Sequence, residues 1–447
     1  MDPRRTSPAT ATALGRILIY LAVIATPPAL AAILPQSEQG GQRFVPQLAN
    51  TLGLVGYTIV ALQFVLAARL KWIERPFGLD MIFAFHKAMA MLVVVVLLAH
   101  PILMAWGQNR WSLLNRLHVS WPIQVGRITL LLLVIAIVLA SLRKTFHLEY
   151  ERWRAWHNVL VVGVLVLGFV HSMSMGGLRA WPMRLVWGGV FGAAMVAYGY
   201  HRFFSPYRGR RRPFVVVDVL RETHDVCTLK LRPTGVCRSN GYLPGQFHFI
   251  TLYRHGLPAE EHPFTISSGP TADGCLASTI KESGDFTRTI TQTAVGDRVA
   301  VRGPFGRFSH VLHPDEDDLV FVAGGVGITP LMSMLRSMRD TGDWRHVLLL
   351  SANRTEDDIV FGQELRQMAG DPRSSLTVVH VLSKPRRAWQ GERGHIDRDL
   401  ILRHAGERLD AKAFYICGPL AMAGTVIASL RQMGVPPRRI HTERFTL

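Results

Sequence analysis

Residues 79–106, LDMIFAFHKAMAMLVVVVLLAHPILMAW, decide how this chain is read. A helix needs about 20 apolar residues to cross a bilayer, and this stretch exceeds that. It carries two histidines, His86 and His100, 14 residues apart. A second apolar run, residues 157–175, repeats the spacing with His157 and His171. On an α-helix such a step advances about 21 Å and returns close to the same face, so each pair lies on one side of its helix at two depths. Both runs cross in the same direction. Packed together, they oppose His86 to His157 near the inner surface and His100 to His171 near the outer. Each opposed pair offers two imidazoles to one haem, and two haems about 20 Å apart, centre to centre, would form an electron path. The plain alternative is hydrogen bonding between helices. Ionisable groups in such segments are rare and as a rule functional, and four at a doubled spacing outweigh it. A zinc or di-metal cluster shared by both layers is excluded by a separation of about 21 Å. No CxxCH occurs, so b-type haems are expected. His118, His147 and His201 fall in loops or at a helix end and are read as structural.

Four more apolar runs surround these two, at residues 14–34, 47–70, 123–142 and 181–204. Six runs of bilayer length make a six-helix transmembrane bundle in a lipid bilayer. Trp106, Trp111, Trp121 and Trp181 fall at or near segment ends, where an aromatic belt sits. Ala29-Leu30-Ala31 looks like a cleavage site, but its apolar run is longer than a signal-peptide core, so the first segment is read as a span. Lys and Arg set the orientation. Of those flanking the apolar runs, fifteen lie on the side of the N-terminus and of the segment after the last run, and six on the other. Both termini and the soluble half are therefore expected in the cytoplasm, at a bacterial inner membrane or plasma membrane.

The whole chain of 447 residues is 49% hydrophobic and 18% charged, with mean hydropathy +0.19, which excludes disorder. Cys227, Cys237, Cys275 and Cys417 match no paired spacing, so no disulfide framework or cysteine metal site is expected. The net charge of +18 is mostly a topology and membrane-surface signal, and nucleic-acid binding is not expected.

From residue 206 short β-branched runs alternate with Gly and Pro, at 214–220, 228–232, 247–253, 276–281 and 298–302. That spacing predicts a small antiparallel β-barrel. Within it come Pro244-Gly245-Gln246-Phe247, His262-Pro263-Phe264-Thr265, Lys281 with Gly284-Asp285-Phe286-Thr287, and Gly303-Pro304-Phe305-Gly306. Singly each reads as a turn between strands; their order makes them informative. An apolar strand at 319–323 then runs into Gly324-Gly325-Val326-Gly327-Ile328-Thr329-Pro330 and a helical stretch. Glycines let backbone approach a pyrophosphate, and a helix N-terminus supplies N–H donors. Thr329 is expected as N-cap and Pro330 as the first helical residue. Further strands at 347–351, 376–382 and 413–417 alternate with helices, predicting a doubly wound α/β sheet. Cys417-Gly418-Pro419 closes one of them, where ligands bind in such sheets. A buried, inert thiol is the alternative for Cys417.

With these motifs in this order, residues 50–447 resemble the ferric reductase and NADPH oxidase superfamily. The resemblance implies that cytoplasmic NADPH gives a hydride to FAD and that single electrons pass through an inner and an outer haem b to an outside acceptor. It implies domains at 1–205 (di-haem membrane domain), 206–313 (FAD barrel) and 314–447 (NAD(P)H domain). Phe264 would face the flavin ring, Thr265 would bond near its N5, and His262, beside Pro263, would lie near its phosphate or ribose. Lys281, Gly284, Phe286 and Thr287 would help hold the FAD pyrophosphate. Gly324, Gly325, Gly327 and Thr329 would bind the nicotinamide nucleotide, with Cys417 and Gly418 at the nicotinamide. Ser351 and Arg354 would meet the adenosine ribose. An Arg there can pair with a 2′-phosphate, which favours NADPH, though related NADH enzymes also place Arg nearby.

The chain ends in Leu447 where relatives commonly carry an aromatic residue; Phe445 takes that place, or the flavin is less covered. The resemblance leaves a ferric chelate and O₂ both open as acceptors, the first giving a metalloreductase and the second a superoxide-producing oxidase. Delivery to a protein partner is a further possibility. A haem sensor or ion-conducting protein is the reading from another class, and the flavin and nucleotide motifs weigh against it.

Overall fold

A computed structural model describes residues 8–33, 44–116, 118–143, 145, 149–175, 180–210, 213–235, 241–271 and 273–443. The chain forms two compact units, Met1–Phe204 and Ser205–Leu447.

The first unit is helical. Its elements are α1 (Pro8–Ile33), α2 (Phe44–Ala67), the short α3 (Lys71–Phe77), α4 (Leu79–Gly107), the one-turn α5 (Ser112–Asn115), α6 (Trp121–Ser141), α7 (Tyr150–Ser174) and α8 (Trp181–Gly199). A π-helical turn, Tyr200–Phe204, follows α8. The chief pairings are α2 on α4 and α6 on α7, with α8 against α2. Tyr57 of α2 stacks on Trp187 of α8 at 4.9 Å, and its hydroxyl donates to the Leu165 carbonyl of α7 at 3.1 Å. Met81, Met91, Val95, Leu131 and Val159 point outward and exposed, which costs little in a lipid environment and much in water.

Among the described residues five helices are long and apolar enough to cross a membrane: Thr12–Ile33, Phe44–Ala67, Leu79–Gly107, Trp121–Ser141 and Tyr150–Ser174. The expected sixth, residues 181–204, is not among them. Its helix stops at 19 residues, carries Arg184, and is diluted by Gly188, Gly189 and Gly192.

The second unit follows α9 (Ser205–Arg210) and holds two sheets. The first comprises β1 (Pro213–Arg221), β2 (Val226–Pro233), β3 (Phe247–Tyr253), β4 (Glu261–Thr265), β5 (Leu276–Lys281) and β6 (Arg298–Phe305), in the order β4-β3-β6-β1-β2-β5, all antiparallel. Alternate residues Phe214, Val216, Leu229, Leu231, Ile250 and Leu252 face one core with Phe286 and Ile290. Among the described residues the strands form a ladder whose two edges, β4 and β5, come together beside the Ser267 N–H to Ala277 carbonyl bond of 2.8 Å. The segment His262-Pro263-Phe264-Thr265 is not a turn: it forms strand β4. Proline is tolerated there because β4 is an edge strand. The one-turn helix α10 (Asp285–Arg288) follows β5.

The second sheet is parallel, in the order β10-β9-β8-β7-β11-β12. Its strands are β7 (Asp318–Gly324), β8 (His346–Asn353), β9 (Leu376–Leu382), β10 (Glu392–Arg393), β11 (Ala413–Cys417) and β12 (Ile440–Glu443). Helices α11 (Ile328–Thr341) and α12 (Gly362–Ala369) pack on one face, and α13 (Arg398–Ala405) and α14 (Leu420–Gln432) on the other. The order reverses between β7 and β11. Such a switch point opens a crevice at the carboxyl ends of the two strands, where ligands bind.

Candidate functional site

The histidines of α4 and α7 come within reach of one another in two sets. His86 lies within electrostatic reach of His157, and His100 within reach of His171. In the second of these pairs, His100 Nδ1 is 2.7 Å from the Ala49 carbonyl of α2, and His171 Nδ1 is 2.8 Å from the Pro122 carbonyl of α6. A carbonyl accepts and cannot donate, so Nδ1 carries the proton in both rings and Nε2 keeps its lone pair. That is the tautomer a metal-ligating histidine needs, and the carbonyl is the usual partner of its other nitrogen. The rings of His86 and His157 are half-buried; Nδ1 of each is shielded and lacks a hydrogen bond of standard geometry, although His157 faces the Ala136 carbonyl. Four imidazoles in two layers suit two bis-imidazole haems.

In the second unit the strand register puts His262 and Phe264 on one face of β4 and Pro263 and Thr265 on the other. His262 stacks on Phe286 of α10 at 4.0 Å, and Phe264 lies 6.2 Å from the same ring. Thr265 is buried. In the turn after β5, Thr287 Oγ1 accepts from the N–H groups of Ser283 and Gly284, both at 2.8 Å, which shapes the segment opening α10. Lys281 stands apart from this expected cluster of contacts: its ammonium pairs with Asp225 at 3.0 Å.

One residue here escaped sequence reasoning. Arg254, after β3, is buried, lies over the Phe286 ring at 5.1 Å and donates from Nη1 to the Thr289 carbonyl at 2.6 Å. A buried guanidinium beside an aromatic pair is a natural anion partner. A lone Arg at a strand end gives no sequence signal of this.

At the switch point the two glycine motifs meet. A Cβ on Gly327 would lie 2.3 Å from the Cys417 carbonyl, and one on Gly324 would lie 2.6 Å from Pro419. Only glycine permits that approach. Gly325 adopts φ +52, and Gly418 closes against Gly324. Thr329 is not the N-cap that the sequence predicted. A 3₁₀ turn, Gly325–Gly327, leads into α11, Gly327 occupies the cap, and Thr329 Oγ1 donates back to the Val326 carbonyl at 3.0 Å. Pro330 is accordingly the third helical residue, not the first. Cys417 is wholly buried in the core beside Phe321, Ala323 and Tyr415. Ser351 is buried at the end of β8, and Arg354 just beyond it is exposed. Phe445 lies outside the described residues.

The flavin-side and nucleotide-side sheets are bonded to one another through α11. Ser333 Oγ donates to the Ser268 carbonyl at 2.6 Å, and Arg336 Nη1 donates to the Ser267 carbonyl at 2.6 Å. A further cluster, His313, Glu316 and His441, satisfies itself: Glu316 accepts from His441 Nε2 at 2.8 Å and from the Tyr415 hydroxyl at 2.7 Å. It fastens the segment between the two sheets to β11 and β12.

Known families match the sequence segment by segment. Residues 52–168 match the ferric reductase like transmembrane component, 215–309 an FAD-binding domain, and 321–427 the oxidoreductase NAD-binding domain. The chain has the architecture of the ferric reductase and NADPH oxidase superfamily. It is therefore a multi-domain chain with an apolar helical unit, an antiparallel FAD-binding sheet and a parallel NAD-binding sheet. The chain is also similar to a monooxygenase reductase subunit and a cytochrome b5 reductase. The glycine betaine monooxygenase reductase subunit of Pseudomonas aeruginosa is 31% identical over 238 residues, covering 51% of this chain and 63% of that relative. NADH-cytochrome b5 reductase 2 of Rattus norvegicus is 29% identical over 178 residues, covering 36% of this chain and 64% of that relative. The chain thus spans less than two thirds of either. The structure titled ferredoxin reductase in carbazole 1,9a-dioxygenase shares 27% identity over 53% of this chain and 69% of its own, with TM-score 0.45.

Proposed function

We propose that this protein takes electrons from cytoplasmic NAD(P)H, passes them through FAD and two b-type haems, and delivers them across the bilayer to an acceptor outside, a ferric chelate being the favoured one. The observation that carries this reading is the pair of histidine layers, with the outer rings in the ligating tautomer. The helix Trp181–Gly199, with the π-turn after it, acts as the sixth span. Bound flavin supplies the change from hydride to single electrons that one-electron haems need.

The chain's own groups have separable tasks. His262, Phe264 and Phe286 form an aromatic wall for the flavin, and Thr265 bonds to its reacting edge. Arg254 supplies the buried positive charge for the flavin phosphates, joined by the Gly284–Thr287 turn. Lys281 joins them by exchanging Asp225 for phosphate. Gly324, Gly325 and Gly327 bring backbone N–H groups to the nucleotide pyrophosphate, with Cys417 and Gly418 beside the nicotinamide. The exposed Arg354, with no ion-pair partner among the described residues, receives the 2′-phosphate and favours NADPH over NADH.

Acceptor profiling tests this. Purified protein with NADPH should reduce ferric chelates faster than it produces superoxide from O₂. The reverse ranking would make it an oxidase, and no reduction of either, with no bound FAD, would favour a sensor or conducting protein.

A further inference from the structure

The outer histidines reach helix carbonyls that are ordinarily screened. In an α-helix the carbonyl of residue i points along the axis, and the Cβ of residue i+4 tilts back over it. A ring approaches that carbonyl closely from the side when residue i+4 lacks a Cβ. His100 bonds to the Ala49 carbonyl, and four residues on is Gly53. His171 bonds to the Pro122 carbonyl, and four residues on is Gly126. A Cβ on Gly53 would lie 3.0 Å from His100 Nδ1; one on Gly126 would lie 2.7 Å from His171 Cε1 and 2.8 Å from its Nδ1. The same device thus occurs twice, on α2 against α4 and on α6 against α7.

The inner layer provides the contrast. His86 and His157 lie 14 residues before His100 and His171. Their neighbouring helices run the opposite way, so the matching positions lie 14 residues later. The carbonyl positions become Gln63 and Ala136, and the glycine positions become Ala67 and Ala140. The Ala136 carbonyl bonds weakly to His157, which bears out the register, but no contact of standard hydrogen-bond geometry forms there, and His86 Nδ1 has no partner. Where glycine stands the tether is short, and where alanine stands it is weak or missing.

We propose that Gly53 and Gly126 are positioning residues for the outer haem alone, admitting the two ligand rings to the Ala49 and Pro122 carbonyls and so holding Nε2 toward the iron. This rests on the haem reading above. A lost tether frees the ring to turn and leaves the tautomer unassigned, which weakens ligation at that layer and not the other.

The test uses the full-length protein in detergent, with haem counted by pyridine haemochrome and spin state read by electron paramagnetic resonance. The parent should hold about two low-spin haems per chain. Gly126→Ala should lower the low-spin count to about one, the other haem turning high-spin or being lost, with FAD content unchanged. Gly53→Ala should move the same signal less, because its Cβ makes a tight contact where Gly126 gives a clash. Gly192→Ala, whose Cβ meets nothing within 4 Å, should match the parent. If Gly126→Ala yields no FAD-loaded protein, Gly53→Ala decides. Parental low-spin signals in the deciding variant, or equal loss of both haems, would overturn the proposal. A parent without haem would instead overturn the haem reading itself.

Discussion

His248 is wholly buried, with Nε2 2.6 Å from Ser278 Oγ, and burial pushes its pKa down to about 3. The ring is neutral in the fold and titrates ordinarily, near 6.5, once unfolded. Below that pH the unfolded chain binds the extra proton, so stability is complete above it and falls as the pH drops toward 3. Between pH 6.5 and 5 the loss is about 2 kcal/mol. Thermal unfolding followed by flavin release should show a lower midpoint at pH 5 than at pH 7.5, and His248→Gln should reduce that difference. His310, pushed down to about 4 by burial, keeps part of it. An undiminished difference in the variant would show that His248 is already charged in the fold. At the flavin edge, Thr265→Ala should slow flavin reduction by NADPH more than it lowers FAD content, and Lys281→Ala should do the reverse. Equal effects on FAD occupancy would contradict both roles. Single residues were unevenly legible in the sequence. The four histidines stood out because helical spacing is periodic and ionisable groups are scarce in apolar runs. Arg254 did not, because its importance comes from Phe286, a distant residue that only the fold brings beneath it.

Among the elements, the parallel sheet was readable because buried parallel strands appear as continuous apolar runs such as Leu319–Ala323. Strand β4 was not. Its Pro263 reads locally as a turn, and only the unpaired side of an edge strand makes it acceptable. The cap of α11 was misjudged for a related reason. Thr329-Pro330 has the composition of a helix start, but the glycines before it already turn as a 3₁₀ segment and start the helix sooner. The close seating of that segment on β11 makes a sharp prediction. Gly327→Ala would set a methyl 2.3 Å from the Cys417 carbonyl, a backbone atom that cannot step aside. Overpacking of this kind costs about 1–3 kcal/mol. The variant should raise the KM for NADPH and lower the unfolding midpoint while leaving haem content as in the parent. Unchanged KM and midpoint would mean that the two loops separate readily.

For the molecule as a whole, the two-unit division follows the change in composition near residue 205, and the sixth span is where composition was least decisive. On the proposed reading the charge asymmetry would put the nucleotide-binding unit inside, and the histidine layers would put the second haem site toward the outer face. Electrons should then enter on one side of the membrane and leave on the other, which a soluble reductase cannot achieve. Right-side-out vesicles loaded with NADPH, and given a membrane-impermeant ferric chelate outside, measure this directly. The parent should reduce the external chelate, and external NADPH with unloaded vesicles should not. His100→Leu should abolish that transfer while NADPH still reduces the flavin. External reduction by His100→Leu at the parental rate would contradict the account, because electrons would then be crossing without the outer histidine pair.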